Sequence, residues 1–138
     1  MSLFFLEAFE HVHKDKAGEY ERLSREVDNK VKEAEPGNLI HVHTKISEEN
    51  DKVVYRWLEV FAKYEDLQVH LDNEHVQAHV QKLGDGYLCA PIEVIVYCDW
   101  TEEQKEYWRQ IPGISLTFAP LVNRSEEHTS ELQSHLNL

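Results

Sequence analysis

An apolar stripe in the first third of the chain constrains the fold more than any other feature. Its members recur at intervals of three, four, four and three residues, which places them on one face of an α-helix. The stripe consists of Tyr20, Leu23, Val27, Val31 and Ala34. The sequence therefore predicts an amphipathic helix over about residues 15–35, which Pro36 and Gly37 end.

Strand-like segments flank this helix on both sides. Residues 3–12 precede it, and residues 39–46 and 52–61 follow it as two apolar-rich runs. The residues between those two runs read Ser-Glu-Glu-Asn-Asp, a composition that favours a turn. We therefore expect the two runs to pair as an antiparallel hairpin.

The next part of the chain predicts two short helices. One helical stretch lies near residues 65–71, and Asn73 has the side chain and the position to cap a second helix that runs to Leu83. Gly84 and Gly86 then end that helix.

The last part predicts strand, helix and strand. Residues 92–98 are β-branched and mostly apolar, Thr101 and Gln104 have capping-box spacing, and residues 114–121 form a closing strand. The complete order predicts an α+β fold, namely a ferredoxin-like split βαβ antiparallel sheet with helices on one face.

The final residues differ in character from everything before them. Residues 124–135 read RSEEHTSELQSH, show no apolar periodicity and resemble the in-frame translation of a common sequencing-adapter oligonucleotide. We therefore expect residues 1–123 to form one domain and residues 124–138 to be an artefactual, disordered tail. A chain of 138 residues is the size of a single domain with one core.

Composition excludes several classes of partner. Fourteen basic and 26 acidic side chains give a net charge of −12, which repels phosphate backbones and anionic lipid. We therefore expect neither nucleic acid nor a membrane as a partner. Two cysteines without metal-binding spacing, and an apolar N-terminal run that Glu7 interrupts, favour a cytoplasmic protein.

The strands are apolar on both sides, which predicts that both faces of the sheet are covered. A second copy of the chain is the expected cover, so the sequence predicts a homodimer packed sheet to sheet. The two alternating sets in one strand are Tyr55, Trp57 and Phe61 on one face and Val54, Leu58 and Val60 on the other.

Three motifs in this order resemble the antibiotic biosynthesis monooxygenase domain. They are Glu35-Pro36-Gly37 after the long helix, Trp57 in the hairpin, and His70 followed five positions later by His75. The resemblance covers about residues 3–121 and implies a dimeric α+β barrel with a pocket between helices and sheet. Members of that family include cofactor-independent oxygenases of quinols or polycyclic phenols, isomerases and haem-degrading enzymes. Among these activities we expect one with a small-molecule substrate and no cofactor.

The tripeptide His41-Val42-His43 raises the question of a metal site. Alternate residues of a strand point to one face, so the two imidazoles could share an ion. However, they share their face with Leu39 and Lys45, and histidine is often only half-buried. We therefore expect no metal, an expectation that equilibrium dialysis with zinc, iron and nickel would test.

Three other histidines are the candidate catalytic bases: His75, His70 and His79. His75 and His79 lie on one edge of the apolar stripe of their helix, where an imidazole with a pKa near ~6.5 could accept a proton at a pocket mouth. The alternative is a boundary histidine that only makes hydrogen bonds to the backbone.

Aromatic and polar side chains of the strands are the candidate substrate-binding residues. They are Trp57, Tyr55, Phe61, Glu59 and Phe9. Such aromatic residues could wall a flat ligand, or they could simply be core. We expect a cofactor-independent monooxygenase of a quinol, phenol or enolisable metabolite, and the alternative is a non-catalytic dimeric barrel that binds a small aromatic ligand.

Overall fold

A computed structural model describes residues 4–97 and 99–122 of the chain. The predicted artefactual tail, residues 124–138, lies outside these residues. The elements, in chain order, are β1 Phe4–His13, a 3-10 turn Lys14–Lys16, α1 Ala17–Ala34, β2 Asn38–Glu48, β3 Lys52–Phe61, α2 Tyr64–Asp72, α3 Glu74–Leu83, β4 Ile92–Tyr97, α4 Glu102–Arg109 and β5 Ile114–Ala119.

The strands form one five-stranded sheet in the order β2-β3-β1-β4-β5. Strand β1 lies between β3 and β4 and is antiparallel to both, while β2 is antiparallel to β3. This arrangement confirms the α+β, ferredoxin-like prediction. The sheet is mixed at one edge, because β5 runs parallel to β4. Helix α4 is the crossover that returns the chain to the same end of the sheet.

Local sequence signals position the helix ends. The Asn73 side chain accepts a hydrogen bond of 2.9 Å from the backbone nitrogen of His75, and Thr101 and Gln104 form the reciprocal capping box. After α1 the chain turns tightly at Gly37. A Cβ atom at Gly37 would lie 2.0 Å from Cγ of Asp66, so any other residue there would force the Asp66 side chain to move.

The buried side chains of all four helices pack against one face of the sheet. One core cluster surrounds Phe61, Leu67 and Trp108, and a second surrounds Tyr20 and Leu83. The opposite face carries no helix within residues 4–97 and 99–122. In those same ranges, every helix is too short or too polar to cross a lipid bilayer.

Candidate functional site

A cavity of about 170 Å³ lies between the sheet and the helices. All five strands and all four helices contribute to its wall, and most of the lining is aliphatic. The aliphatic lining residues include Leu6, Val27, Val31, Val76, Ile92, Val94 and Ile114. A cavity of about 150 Å³ with such a lining binds benzene, so this one has room for a single aromatic ring.

Four of the residues proposed from sequence line this cavity. They are His70, His79, Trp57 and Glu59. Residues opposite each other in neighbouring strands share a face, and Trp57 is opposite Ala8 of β1, which also lines the cavity.

The other four proposed residues lie elsewhere. Phe61 is fully buried in the core, with its ring centroid 5.4 Å from that of His70. Tyr55 lines a separate surface depression between α1 and β2, and its hydroxyl donates to Glu21. Phe9 lies between Ala8 and Glu10, both of which line the cavity, so the alternation of the strand directs Phe9 to the opposite face.

His75 lies at the N-terminal end of α3, beside a shallow depression between α1 and α3. Its side chain is 42% exposed, and it does not contribute to the wall of the main cavity. His79, one helical turn later, lines both this depression and the main cavity. The structure therefore separates two histidines that the sequence pattern treats alike.

Polar groups concentrate at one place in the cavity wall, around the Glu59 carboxylate. Oε1 of Glu59 is 2.9 Å from Nε2 of His41 and 3.3 Å from Nε2 of His70. His41 reaches this position because it pairs with Glu59 across the β2–β3 ladder. His70 reaches it from the last turn of α2.

The outer nitrogens of the same two rings also contact carboxylates. Nδ1 of His41 is 2.6 Å from Oδ1 of Asp28, and Nδ1 of His70 is 2.8 Å from Oε1 of Glu35. The other oxygen of Glu35 accepts a hydrogen bond of 2.7 Å from the amide of Asn73. Each imidazole is thus held between two carboxylates, which determines the orientation of its ring.

These contacts control the charge of the cluster. Burial opposes protonation of His70, but Glu59 and Glu35 outweigh it and raise the pKa of His70 to about 10. Burial likewise opposes protonation of His41, and Glu59 and Asp28 outweigh it and raise the pKa of His41. The two imidazoliums in turn lower the pKa of Glu59 against the effect of its burial. Without any bound cation, His70 is therefore protonated at neutral pH, and the contacts of His41 favour its protonated form.

A second polar network adjoins the first through Trp57. The Trp57 indole donates a hydrogen bond of 2.9 Å to Glu10, and the Tyr20 hydroxyl donates to the same carboxylate oxygen. Nε2 of His43 lies 2.8 Å from the Tyr20 hydroxyl. Burial raises the pKa of Glu10, and burial together with the charge on His41 lowers the pKa of His43 to about 4.

His79 differs from the other cavity histidines in the partners of its ring. Its Nε2 atom is buried and makes no hydrogen bond to any described residue. Burial, followed by the charge on His41, lowers the pKa of His79 to about 4. At neutral pH this side chain is therefore an uncharged imidazole in the wall of an apolar cavity.

Sequence reasoning did not assign His41, Glu10, Glu35 or Asp28 to the site. The alternation of β1 was a usable signal for Glu10, since it shares a face with Leu6 and Ala8. Glu35 was noted only as part of a turn motif. Its contact with His70 joins residues 35 positions apart in sequence, and no local pattern indicates it.

The model of the family described as "Antibiotic biosynthesis monooxygenase" matches residues 4–82, more than half of the 138 residues. The chain belongs to this family. The match confirms the resemblance seen in the sequence, and it spans β1 through most of α3, which carry His41, Glu59, His70 and His79.

Solved structures share the fold. A protein from Caulobacter crescentus CB15, named only provisionally as an antibiotic biosynthesis monooxygenase, is 25% identical with a TM-score of 0.63, and the match covers 69% of this chain and 87% of that one. A protein from Nitrosomonas europaea, also named only provisionally as an antibiotic biosynthesis monooxygenase, is 16% identical, with a TM-score of 0.62 and coverages of 69% and 88%. A third, from Bacteroides thetaiotaomicron VPI-5482, is 19% identical, with a TM-score of 0.59 and coverages of 83% and 95%. No curated protein sequence matches this chain.

Proposed function

We propose that the protein is a monooxygenase that oxidises a small, acidic, electron-rich compound such as a one-ring quinol, phenol or enol. Family membership supports the reaction class. The observation that carries the proposal is the unpaired Nε2 of His79 in the wall of an apolar cavity with room for one ring.

His79 acts as the proton acceptor in this proposal. A neutral imidazole with a free ring nitrogen removes the proton of a bound hydroxyl group. Its low pKa keeps it neutral before the substrate binds, and the substrate anion then raises that pKa, because opposite charges in an apolar cavity attract strongly. The aliphatic wall excludes water and holds the anion where oxygen can reach it.

The substrate supplies all four electrons that reduce dioxygen. A hydroquinol and one O₂ give a hydroxyquinone and one water: one oxygen atom forms a new carbon–oxygen bond, and the other leaves as water. The two hydrogens of that water come from the substrate. The reaction as written therefore needs no organic cofactor as an electron donor.

Oxygen uptake with a panel of one-ring quinols and enols tests the proposal. We expect turnover by the wild-type chain and a loss of at least about 100-fold in kcat with His79→Asn, the scale of a general base. His13→Asn, at the exposed end of β1, is the matched control and should keep full turnover. Loss of turnover with His75→Asn but not with His79→Asn would instead support His75 among the three histidines predicted from sequence and contradict the assignment of His79.

We also propose that the chain forms a homodimer through the face of the sheet that carries no helix. This face presents apolar side chains, including Val42, which is 46% exposed, together with partly exposed Phe5, Phe9, Leu58 and Ile95. A sheet face of this kind is stabilised by an apolar cover. Sedimentation equilibrium should give twice the chain mass, and Leu58→Glu should give a monomer. A monomeric wild-type protein would contradict this.

One observation favours a non-catalytic alternative. His41 and His70 are each held between two carboxylates, which leaves few free acid–base groups in the described part of the cavity wall. In that case the protein would carry a small aromatic ligand. Mass spectrometry can identify the compounds that the protein retains on purification. If the protein consumes no oxygen with any of them, the carrier is supported and the monooxygenase is contradicted.

A further inference from the structure

We propose that His41, Glu59 and His70 bind one divalent transition-metal ion through the two Nε2 atoms and a carboxylate oxygen. All three candidate ligand atoms lie within 4.8 Å of one another. This inference rests on the geometry of the cluster and not on the proposed oxygenation. It differs from the sequence-based expectation of no metal, which considered His41 with His43 and not with His70.

The distances between the ligand atoms fit a shared ion. Two donors that each lie about 2.1 Å from one ion are about 3.0 Å apart at a right angle and about 3.4 Å apart at a tetrahedral angle. The two measured separations from Glu59 Oε1 are 2.9 Å to Nε2 of His41 and 3.3 Å to Nε2 of His70. Both separations from the carboxylate are therefore those of two ligands that share one ion.

The outer nitrogens of both rings are held as in a typical metal-binding histidine. Such a ligand usually donates its other N–H group to a carboxylate, which determines the tautomer and directs the remaining lone pair at the ion. Asp28 holds Nδ1 of His41 at 2.6 Å, and Glu35 holds Nδ1 of His70 at 2.8 Å. Two independent rings, from β2 and α2, thus present Nε2 to the same point.

The balance of hydrogen-bond donors also favours a cation. Without an ion, the Nε2–H groups of two imidazolium rings lie 2.9 and 3.3 Å, measured from nitrogen, from the same oxygen of Glu59, and the ring centroids are 5.5 Å apart. One divalent ion replaces those two hydrogens and leaves the total charge of the buried cluster unchanged. It also removes the repulsion between the two rings.

The site has access from two sides. His41, Glu59 and His70 all line the apolar cavity, so the coordination positions not occupied by protein face a space where water or a ligand fits. His41 also lines the polar depression that contains Asp28 and Lys32.

The ligand set favours first-row transition metals. Two imidazoles and one carboxylate, with positions left open, suit ions such as Fe²⁺, Co²⁺ and Zn²⁺ better than Mg²⁺ or Ca²⁺, which prefer oxygen ligands. The structural alternative is a metal-free ion-pair network with the same residues.

Titration of the full, chelator-treated chain with Co²⁺ and Zn²⁺ tests the site. We expect one ion per chain, visible Co²⁺ absorption bands that Zn²⁺ abolishes, and a higher thermal midpoint with Zn²⁺. The double variant His41→Asn/His70→Asn keeps every other histidine, so it measures background binding. Changing an outer hydrogen-bond partner of a metal ligand costs about 10–100-fold in metal affinity. The double variant should lose more than that.

Two further variants separate metal binding from general destabilisation. Glu59→Gln keeps the size of the side chain and should bind at least about 100-fold more weakly, whereas Glu35→Gln should lose about 10–100-fold. His43→Asn, on the same face of β2, should bind like wild type. Equal affinity of wild type and the double variant for both ions would overturn the metal site, whatever the oxygen-uptake result.

Discussion

His41 and His43 lie two residues apart on the same face of β2, and both rings stack on Trp57, with centroid separations of 4.5 and 3.9 Å. Nevertheless their pKa values shift in opposite directions, upward for His41 and downward to about 4 for His43. Burial acts in the same direction on both. The difference lies in their partners, because His41 contacts two carboxylates and His43 contacts a phenol.

The two cavity histidines from α2 and α3 repeat this contrast. His70 lies between Glu35 and Glu59 and has a pKa of about 10, while His79 has no hydrogen-bonding partner at Nε2 among the described residues and a pKa of about 4. The described cavity wall therefore contains histidines that carboxylates hold in place, His41 and His70, beside one neutral histidine, His79. Contacts with carboxylates, and not the depth of burial, decide whether the pKa of a histidine here is raised or lowered.

Removing a charged histidine should have the largest effect. His70→Ala leaves Glu35 and Glu59 buried without this partner, and we expect a loss of about 3–5 kcal/mol in the free energy of unfolding. Urea unfolding with a chelator present measures it, and exposed His13→Ala should change the value by less than about 0.5 kcal/mol. A loss below about 1 kcal/mol for His70→Ala would mean that the cluster is more hydrated than its burial implies.

Neutralising the shared carboxylate should be the next largest change. Glu59→Gln removes the charge that both rings share, and a hydrogen bond to a charged group contributes about 1.5–3 kcal/mol. We also expect the pKa of His70 to fall towards its ordinary value while that of His43 changes little. Titration followed by NMR of the imidazole resonances tests both, and equal shifts at the two histidines would break the contrast.

Histidines with raised and with lowered pKa values should affect the stability of the protein in separate pH ranges. The folded-state pKa of His70 lies above its unfolded value, so its stabilising effect is complete below about pH 6.5 and is lost as the pH rises through about 10. The folded pKa of His43 lies below its unfolded value, so stability falls as the pH drops from about 6.5 to about 4. His70→Gln should remove the first slope and His43→Gln should weaken the second. Unfolding curves of the chelated protein from pH 4 to 10 measure them.

A substitution at Trp57, whose indole stacks on the rings of His41 and His43, should have the smallest effect on stability. Trp57→Phe keeps an aromatic ring but removes the hydrogen bond to Glu10, which costs about 1 kcal/mol plus any penalty for the unpaired carboxylate. We expect a small loss of stability and a further rise in the pKa of Glu10. A loss as large as that of His70→Ala would show that Trp57 holds the cavity open.

Local patterns were sufficient to predict most of the fold. The bounds of β3, the Asn73 cap and the Thr101–Gln104 capping box were all correct, because each depends on neighbours in sequence. The direction of β5, parallel to β4, was not predicted, because it depends on where α4 delivers the chain and not on any pattern within the strand. The substrate-binding role of Phe9 remains a prediction. Its position on the sheet face opposite the cavity does not favour that role.

The sequence by itself determined the elements, their order and the faces of most strands, since side-chain alternation and helical periodicity are short-range properties. The tertiary structure decided which side chains come together in the site. Strand β2 shifts its register by one residue between Lys45 and Ser47, and that shift sets His41 opposite Glu59. In the register that pairs Ser47 with Val54, His41 would lie opposite Val60, so strand pairing and the docking of α2 together assemble the cluster.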